Sequence, residues 1–223
     1  MTSSLKKRAA SIVSLLSQRY PDAVCTLSHQ SPWELLVGAI LASQCTDERV
    51  NRITPALFQA FPHPQAMAEA NLEDLESLIR TCGLFRAKAA ALKGTASRVM
   101  EVHGGQVPST AEELMDLPGV GRKITNLILG DAFGQQALVV DTHCGRISRL
   151  LGLTDSQNPL VIEKDLAKAV PEDSWTSWGH LMVAHGRELC RARCRLCFQC
   201  PLRLLCRYGM ALDPAEEEEA GCV

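Results

Sequence analysis

Apolar positions recur along this chain with the period of a helix, and no stretch shows the alternation of a half-buried strand. Leu72, Leu75, Leu78 and Ile79 share one helical face. Ser31-Pro32-Trp33-Glu34 reads as a capping box with proline in the first helical position, and it predicts a helix through about Ser43. Ser109-Thr110-Ala111-Glu112 reads as a second capping box, opening a helix that runs into a turn at Leu117-Pro118. Beyond that turn, Ile124, Leu127 and Ile128 predict the buried stripe of a helix ending near Gly134. Ala137-Leu138-Val139-Val140 is β-prone but has no partner run, so it is read as an extended link. Asp141 or Thr142 then caps a helix that turns Cys144, Ile147, Leu150 and Leu151 inward. An all-α fold follows.

Composition narrows the picture. With 223 residues the chain is one large domain or two small ones, and Ala and Leu with few aromatics favour helices over a β-sandwich. The longest apolar run, Leu35 to Ala42, is too short to span a membrane. The basic N-terminus leads into an amphipathic pattern, not the apolar core of a signal peptide. A cytoplasmic location is expected, where ten cysteines point to metal binding more than to disulfides.

The net charge of −2 hides an uneven distribution. Asp213 and Glu216 through Glu219 carry five of the 25 acidic residues, leaving 20 against 23 basic ones, or +3 elsewhere. That acidic end, residues 208–223 as a whole, reads as a solvated, disordered tail. From Gly186 to Tyr208 come Arg187, Arg191, Arg193, Arg195, Arg203 and Arg207, opposed only by Glu188. Such local basic charge suits contact with phosphates.

Two motifs carry chemistry. In Leu117-Pro118-Gly119-Val120-Gly121-Arg122-Lys123 a Gly-x-Gly turn joins two helices, and its glycines permit positive φ and close backbone approach to an anion. A plain helix–helix turn has the same outline; the flanking Leu-Pro and Arg-Lys favour a phosphate grip that positions nucleic acid without reading it. Lys123 is either a solvated phosphate contact or an amine nucleophile, which would need help from burial or from cations such as Arg122 to lose its proton. Asp141, eighteen residues on, reads first as an N-cap, a role compatible with holding a fixed anion near a reacting sugar. The turn at Cys82-Gly83-Leu84-Phe85-Arg86-Ala87-Lys88 is a faint echo of the first, with glycine followed by Arg and Lys.

The second motif is Cys190, Cys197, Cys200 and Cys206, with gaps of six, two and five. Structural zinc sites pair two short knuckles, whereas a single C-x-x-C with longer flanking gaps fits an iron–sulfur cluster better. Cys194 falls inside the first gap. Cys25, Cys45, Cys82, Cys144 and Cys222 read as buried small residues or incidental thiols.

With these motifs in place, and with Leu-Ala-Ser-Gln-Cys-Thr-Asp (41–47), Val-Asp-Thr-His (140–143) and His-Gly-Arg (185–187), the chain resembles the endonuclease III family over nearly its whole length. The resemblance implies a two-lobed helix-hairpin-helix DNA glycosylase fold with a cleft between lobes and a C-terminal iron–sulfur cluster loop. Residues 25–134 would form the helical lobe, and 1–24 with 135–207 the discontinuous iron–sulfur lobe. It implies a monomeric glycosylase and AP lyase that removes oxidised pyrimidines from duplex DNA and nicks the abasic site by β-elimination. Lys123 would be the Schiff-base nucleophile and Asp141 its carboxylate. A 4Fe–4S cluster would sit on Cys190, Cys197, Cys200 and Cys206. DNA contacts would fall to Gly119, Val120, Gly121, His143, Arg187 and Arg193, with Gln44 and Leu84 filling the gap left by a flipped nucleotide.

Cys144-Gly145 stand where that family usually carries bulkier residues, which predicts a looser wall beside Asp141. Mismatch adenine glycosylases are the near rival. They carry a glutamate before the glutamine motif and lack the hairpin lysine; here Val37-Gly38-Ala39-Ile40-Leu41 holds no carboxylate and Lys123 is present. A non-catalytic DNA-binding scaffold and an electron carrier are the alternatives of other classes.

Overall fold

The computed structural model describes residues 3–212, so the acidic run and Cys222 lie outside the described residues. The chain divides into two compact units, one made of residues 1–24 and 136–223 and the other of residues 25–135. Among the described residues there is no strand, only an isolated bridge between Cys190 and Arg195, and Ala137 to Val140 is an extended link. None of the described helices is long and apolar enough to cross a membrane.

The 25–135 unit is built round one helix. The helix α2, Pro32–Leu41, is buried at every position from Trp33 on except Glu34, because its sequence offers no polar face to solvent. Ser31 caps it by accepting from the Glu34 amide, and Glu34 accepts in turn from the Gln30 amide. Against it pack α3 (Asp47–Ala60), α6 (Phe85–His103) and α8 (Arg122–Leu127), with α4 (Pro64–Glu69) and α5 (Leu72–Leu78) laid on α6.

The short α7, Ala111–Met115, begins one residue later than its sequence suggests. Thr110, not Ser109, is the cap, and its hydroxyl both accepts from the Glu113 amide and donates to the Glu113 carboxylate. Two overlapping S/T-x-x-E registers compete here, and the one that also buries Leu114 prevails.

The helix after the hairpin also differs from expectation. Ile124 and Leu127 are only half-buried, while Thr125, Asn126, Ile128 and Leu129 face inward. A single π-helical turn over Ile128–Ala132 shifts the register, so a strict 3.6-residue stripe fails there.

In the other unit, α1 (Ser3–Arg19) packs on α10 (Pro159–Ala169) and α11 (Trp175–Glu188), and α9 (Thr142–Leu151) packs on α10 and α11. Ala9, Ile12, Leu16, Ile147, Leu166, Trp178 and Met182 form its core. Residues 208–210, read from composition as part of the tail, belong instead to the helical turn α12, Arg207–Met210, where buried Gly209 fits against the Arg203 backbone.

Candidate functional site

The hairpin owes its shape to α6. Gly119 has φ of 77°, and a Cβ there would stand 2.8 Å from the Ala91 Cβ, so only glycine fits. Pro118 lies across Gly94, and its carbonyl accepts from the Thr95 hydroxyl at 2.6 Å. Val120 is buried, whereas Gly121 faces open space at the N-cap of α8 and offers no side-chain cap. The first-turn amides of α8 therefore present the partly positive end of a helix to an outside acceptor. Lys123 is exposed in that same first turn.

Gln44 and Leu84 are the two non-glycine residues with positive φ among the described residues, at 53° and 57°. They lie on neighbouring turns. A Cβ on Gly83 would be 3.5 Å from the Gln44 carbonyl, and the Cys45 and Cys82 sulfurs are 3.8 Å apart. Both side chains are exposed, Leu84 by 59%. A left-handed leucine costs roughly 1–2 kcal/mol and its apolar exposure adds to that, a combination retained where function needs it.

The echo of the hairpin is not a second one. Its left-handed residue is Leu84 rather than the glycine, and Lys88 is buried, donating to the Leu41 carbonyl at 2.8 Å. That bond satisfies the C-terminal end of α2. Sequence alone had no means of separating Lys88 from Lys123.

In the other unit Asp141 caps α9, accepting from the Cys144 amide at 2.7 Å. It is half-buried, and among the described residues its second carboxylate oxygen meets no donor. A Cβ on Gly145 would make ordinary contacts with Ile162 at 3.4 Å and Val140 at 3.9 Å, so the wall beside Asp141 has room for a methyl that glycine does not supply. Cys144 is wholly buried beneath it, and burial pushes its thiol up to about 12. His143 packs on Gly186, where no Cβ would fit, and Arg146 lies 3.4 Å from the His143 ring nitrogen. Arg187 and Arg193 are exposed.

The six arginines divide by role. Arg195 stacks on Tyr208, Arg203 on Phe198, and Arg207 pairs with Asp155 at 2.7 Å. Arg187, Arg191, Arg193 and Arg207 are exposed, the last with its charge offset by Asp155, whereas Arg195 and Arg203 are half-buried.

Cys190, Cys197, Cys200 and Cys206 line one small cavity with Ile147, Leu151 and Leu202. Among the described residues no group of three or more His, Cys, Asp or Glu side chains is drawn together as a single-ion site. Arg195 lines the same cavity with its Nε buried and unpaired, a donor that an anionic group there would satisfy. Arg146 donates to the Cys190 sulfur at 3.6 Å. Burial raises Cys190 and Cys197 and pushes Cys200 up to about 11, so metal binding must displace those protons. His185 stands against Cys200 at 3.7 Å and against the Tyr20 hydroxyl at 3.3 Å, and burial lowers it to about 4. Arg146 escapes sequence reasoning, and His185 enters it only within the His-Gly-Arg motif, because helical histidines and arginines carry no spacing signal for such contacts.

Residues 37–172 match the model of the HhH-GPD superfamily base excision DNA repair protein family. Over 209 residues, 93% of this chain and 95% of the relative, the chain is 45% identical to endonuclease III of Synechocystis sp.. It is 40% identical to endonuclease III of Bacillus subtilis over 89% of this chain and 91% of that one. Its fold is similar, with a TM-score of 0.87 and 38% identity, to the endonuclease III of a trapped covalent protein–DNA intermediate, covering 94% of this chain and 98% of that one.

Proposed function

The chain belongs to the HhH-GPD superfamily of base excision DNA repair proteins, and within it to the endonuclease III family of DNA glycosylases with AP lyase activity, and we propose that Lys123 is its nucleophile. The observation that carries this assignment is the hairpin. Gly119 is wedged on Ala91 in a conformation closed to other residues, and the exposed Lys123 amine follows in the first turn of a helix with no cap of its own. The amides at that turn would hold a DNA phosphate and so deliver the sugar to the amine. The relative whose structure is described as a trapped covalent DNA intermediate supports covalent chemistry of this kind.

In the reaction proposed, the Lys123 amine attacks C1′, the damaged base leaves with the electrons of its glycosidic bond and one amine proton, and the C1′–O4′ bond then opens, O4′ taking the remaining amine proton, to leave an imine. The resulting imine acidifies C2′; loss of a C2′ proton expels the 3′ phosphate and nicks the strand. Asp141 would stabilise the positive charge that develops at the sugar, and its unpaired oxygen leaves it able to do so. Gln44 and Leu84 would fill the vacated stack, for which their exposed, left-handed turns support the reading. His143, Arg187 and Arg193 are assigned to phosphates along with Gly119, Val120 and Gly121. The substrate class is duplex DNA with oxidised pyrimidines or abasic sites.

The four cysteines would hold a 4Fe–4S cluster, which when bound supplies a covalent tie between the end of α11 and the loop bearing Arg191 and Arg193. Iron and sulfide analysis of purified protein tests this, with Cys200→Ser expected to lower both. The protein would act as a monomer in the cytoplasm, a reducing compartment that keeps such thiols open to iron.

Borohydride trapping on a duplex with one oxidised pyrimidine decides the nucleophile. A covalent band with wild type and none with Lys123→Gln is the expected result. A band in both would move the nucleophile elsewhere. No band in either, on that duplex or on one with an abasic site, would leave a monofunctional glycosylase or a scaffold that only grips DNA.

A further inference from the structure

One pair of thiols takes no part in the reaction or in the four-cysteine cavity. Cys45 and Cys82 each close a turn that follows a helix: the Cys45 amide bonds to the Ala42 carbonyl after α2, and the Cys82 amide to the Ile79 carbonyl after α5. Their sulfurs are 3.8 Å apart, although 37 residues separate them in the chain. The two turns are also in contact beside the thiols, since a Cβ on Gly83 would come within 3.5 Å of the Gln44 carbonyl. Gln44 directly precedes one cysteine and Leu84 lies two residues past the other, so the thiols join the two turns that carry the left-handed residues. A disulfide sulfur–sulfur bond is about 2.05 Å long. Side-chain rotation therefore has about 1.8 Å to close, with no need to bring distant backbone together.

We propose that Cys45 and Cys82 form a redox modification site, at which a peroxide joins them in a reversible disulfide that clamps the Gln44 and Leu84 turns and slows engagement of damaged DNA.

The division of labour follows from burial. Cys45 is half-buried and reachable by a small oxidant, whereas Cys82 is 1% exposed. The Cys45 thiolate attacks one peroxide oxygen and breaks the O–O bond, giving a sulfenic acid and, from hydrogen peroxide, one water. The Cys82 sulfur then attacks the Cys45 sulfur, the S–O bond breaks, and the released hydroxide takes the Cys82 proton as a second water. Two thiols are oxidised by one peroxide, and a dithiol reductant reverses the change. Burial, with the neighbouring Cys45 sulfur, pushes Cys82 up to about 11, which keeps it a resolving thiol rather than a first target. Lys88 and Arg49 oppose that shift and favour the thiolate at the moment of attack. Disulfides in reducing compartments are mostly transient sensors of this sort.

The consequence for DNA, though not the disulfide itself, rests on the reading of Gln44 and Leu84 as residues that enter the duplex. The test exposes the iron-loaded protein to hydrogen peroxide, blocks remaining thiols, and maps peptides by mass spectrometry beside single-turnover nicking. Wild type should yield a Cys45–Cys82 linked peptide pair that dithiothreitol abolishes. Its nicking rate should fall on the order of tenfold, as a small misplacement of contact residues would cause, and recover with the reductant. Cys45→Ala and, separately, Cys82→Ala should show neither change, and any loss they share with wild type belongs to other thiols. Absence of the linked pair overturns the modification site. A linked pair with unchanged nicking leaves the disulfide standing and overturns its proposed effect on engagement of damaged DNA.

Discussion

Two turns in the same unit share a glycine followed by arginine and lysine, and they end in opposite places. At the hairpin, Gly119 bears the positive φ and Lys123 stands in solvent. At 82–88 the strain falls on Leu84, and Lys88 is drawn inside to donate to the Leu41 carbonyl. The difference lies in what each turn packs against. Ala91, Gly94 and Thr95 of α6 hold the hairpin at Pro118 and Gly119, and Lys123 is left exposed in the turn beyond. The 82–88 turn is held through its lysine, so it is the backbone and Leu84 that face outward. Similar letters thus give an amine available for chemistry in one turn and an amine used up by structure in the other.

Lys123→Gln should break the comparison hardest. Nicking should fall by a factor on the order of 10³ or more, as removal of a nucleophile does, while gel-shift affinity for an abasic-site duplex stays within several-fold of wild type. Lys88→Gln, by contrast, should keep nicking per folded molecule; a comparable loss there would exchange the two roles.

Next in size is Gly119→Ala, which meets both the left-handed φ and the Ala91 methyl. A urea melt should show a loss of about 2–4 kcal/mol. Adding Ala91→Gly should restore the steric share only, leaving about 1 kcal/mol of backbone cost. Full recovery in the double variant would mean that the backbone conformation there is not strained.

Lys88→Met should cost about 1–3 kcal/mol by leaving the Leu41 carbonyl without its donor. Equilibrium unfolding reads this directly, and an unchanged midpoint would show that water replaces the ammonium.

The smallest effect is the most pointed. Leu84→Gly should raise stability by up to about 1 kcal/mol through relief of its left-handed conformation, yet slow excision from a damaged duplex. A variant stabler and slower at once would identify strain kept for function. Equal or faster excision would remove Leu84 from the DNA interface.

Much of this was legible in the chain. The caps at Ser31 and Asp141, the Gly-x-Gly turn and the spacing of Cys190, Cys197, Cys200 and Cys206 are all written within a few residues, because a helix start, a tight turn and a metal loop are governed by near neighbours. Even there, local rules failed where two registers competed, as at Ser109 and Thr110, and where the π turn after Leu127 broke the period.

Burial and long-range approach were decided only by tertiary structure. Nothing near Leu84 calls for a left-handed leucine, since the glycine beside it would take that conformation more cheaply; the turn lies against the Gln44 loop, far away in sequence. Lys88 is a structural lysine only because α2 ends within reach, 47 residues earlier in the chain. Cys45 and Cys82 become a pair, and Arg195 and Arg203 come to stack on Tyr208 and Phe198, for the same reason. A sequence sets which contacts each residue is able to make. Which contact it does make depends on what the folded chain places beside it and on how much water is left there.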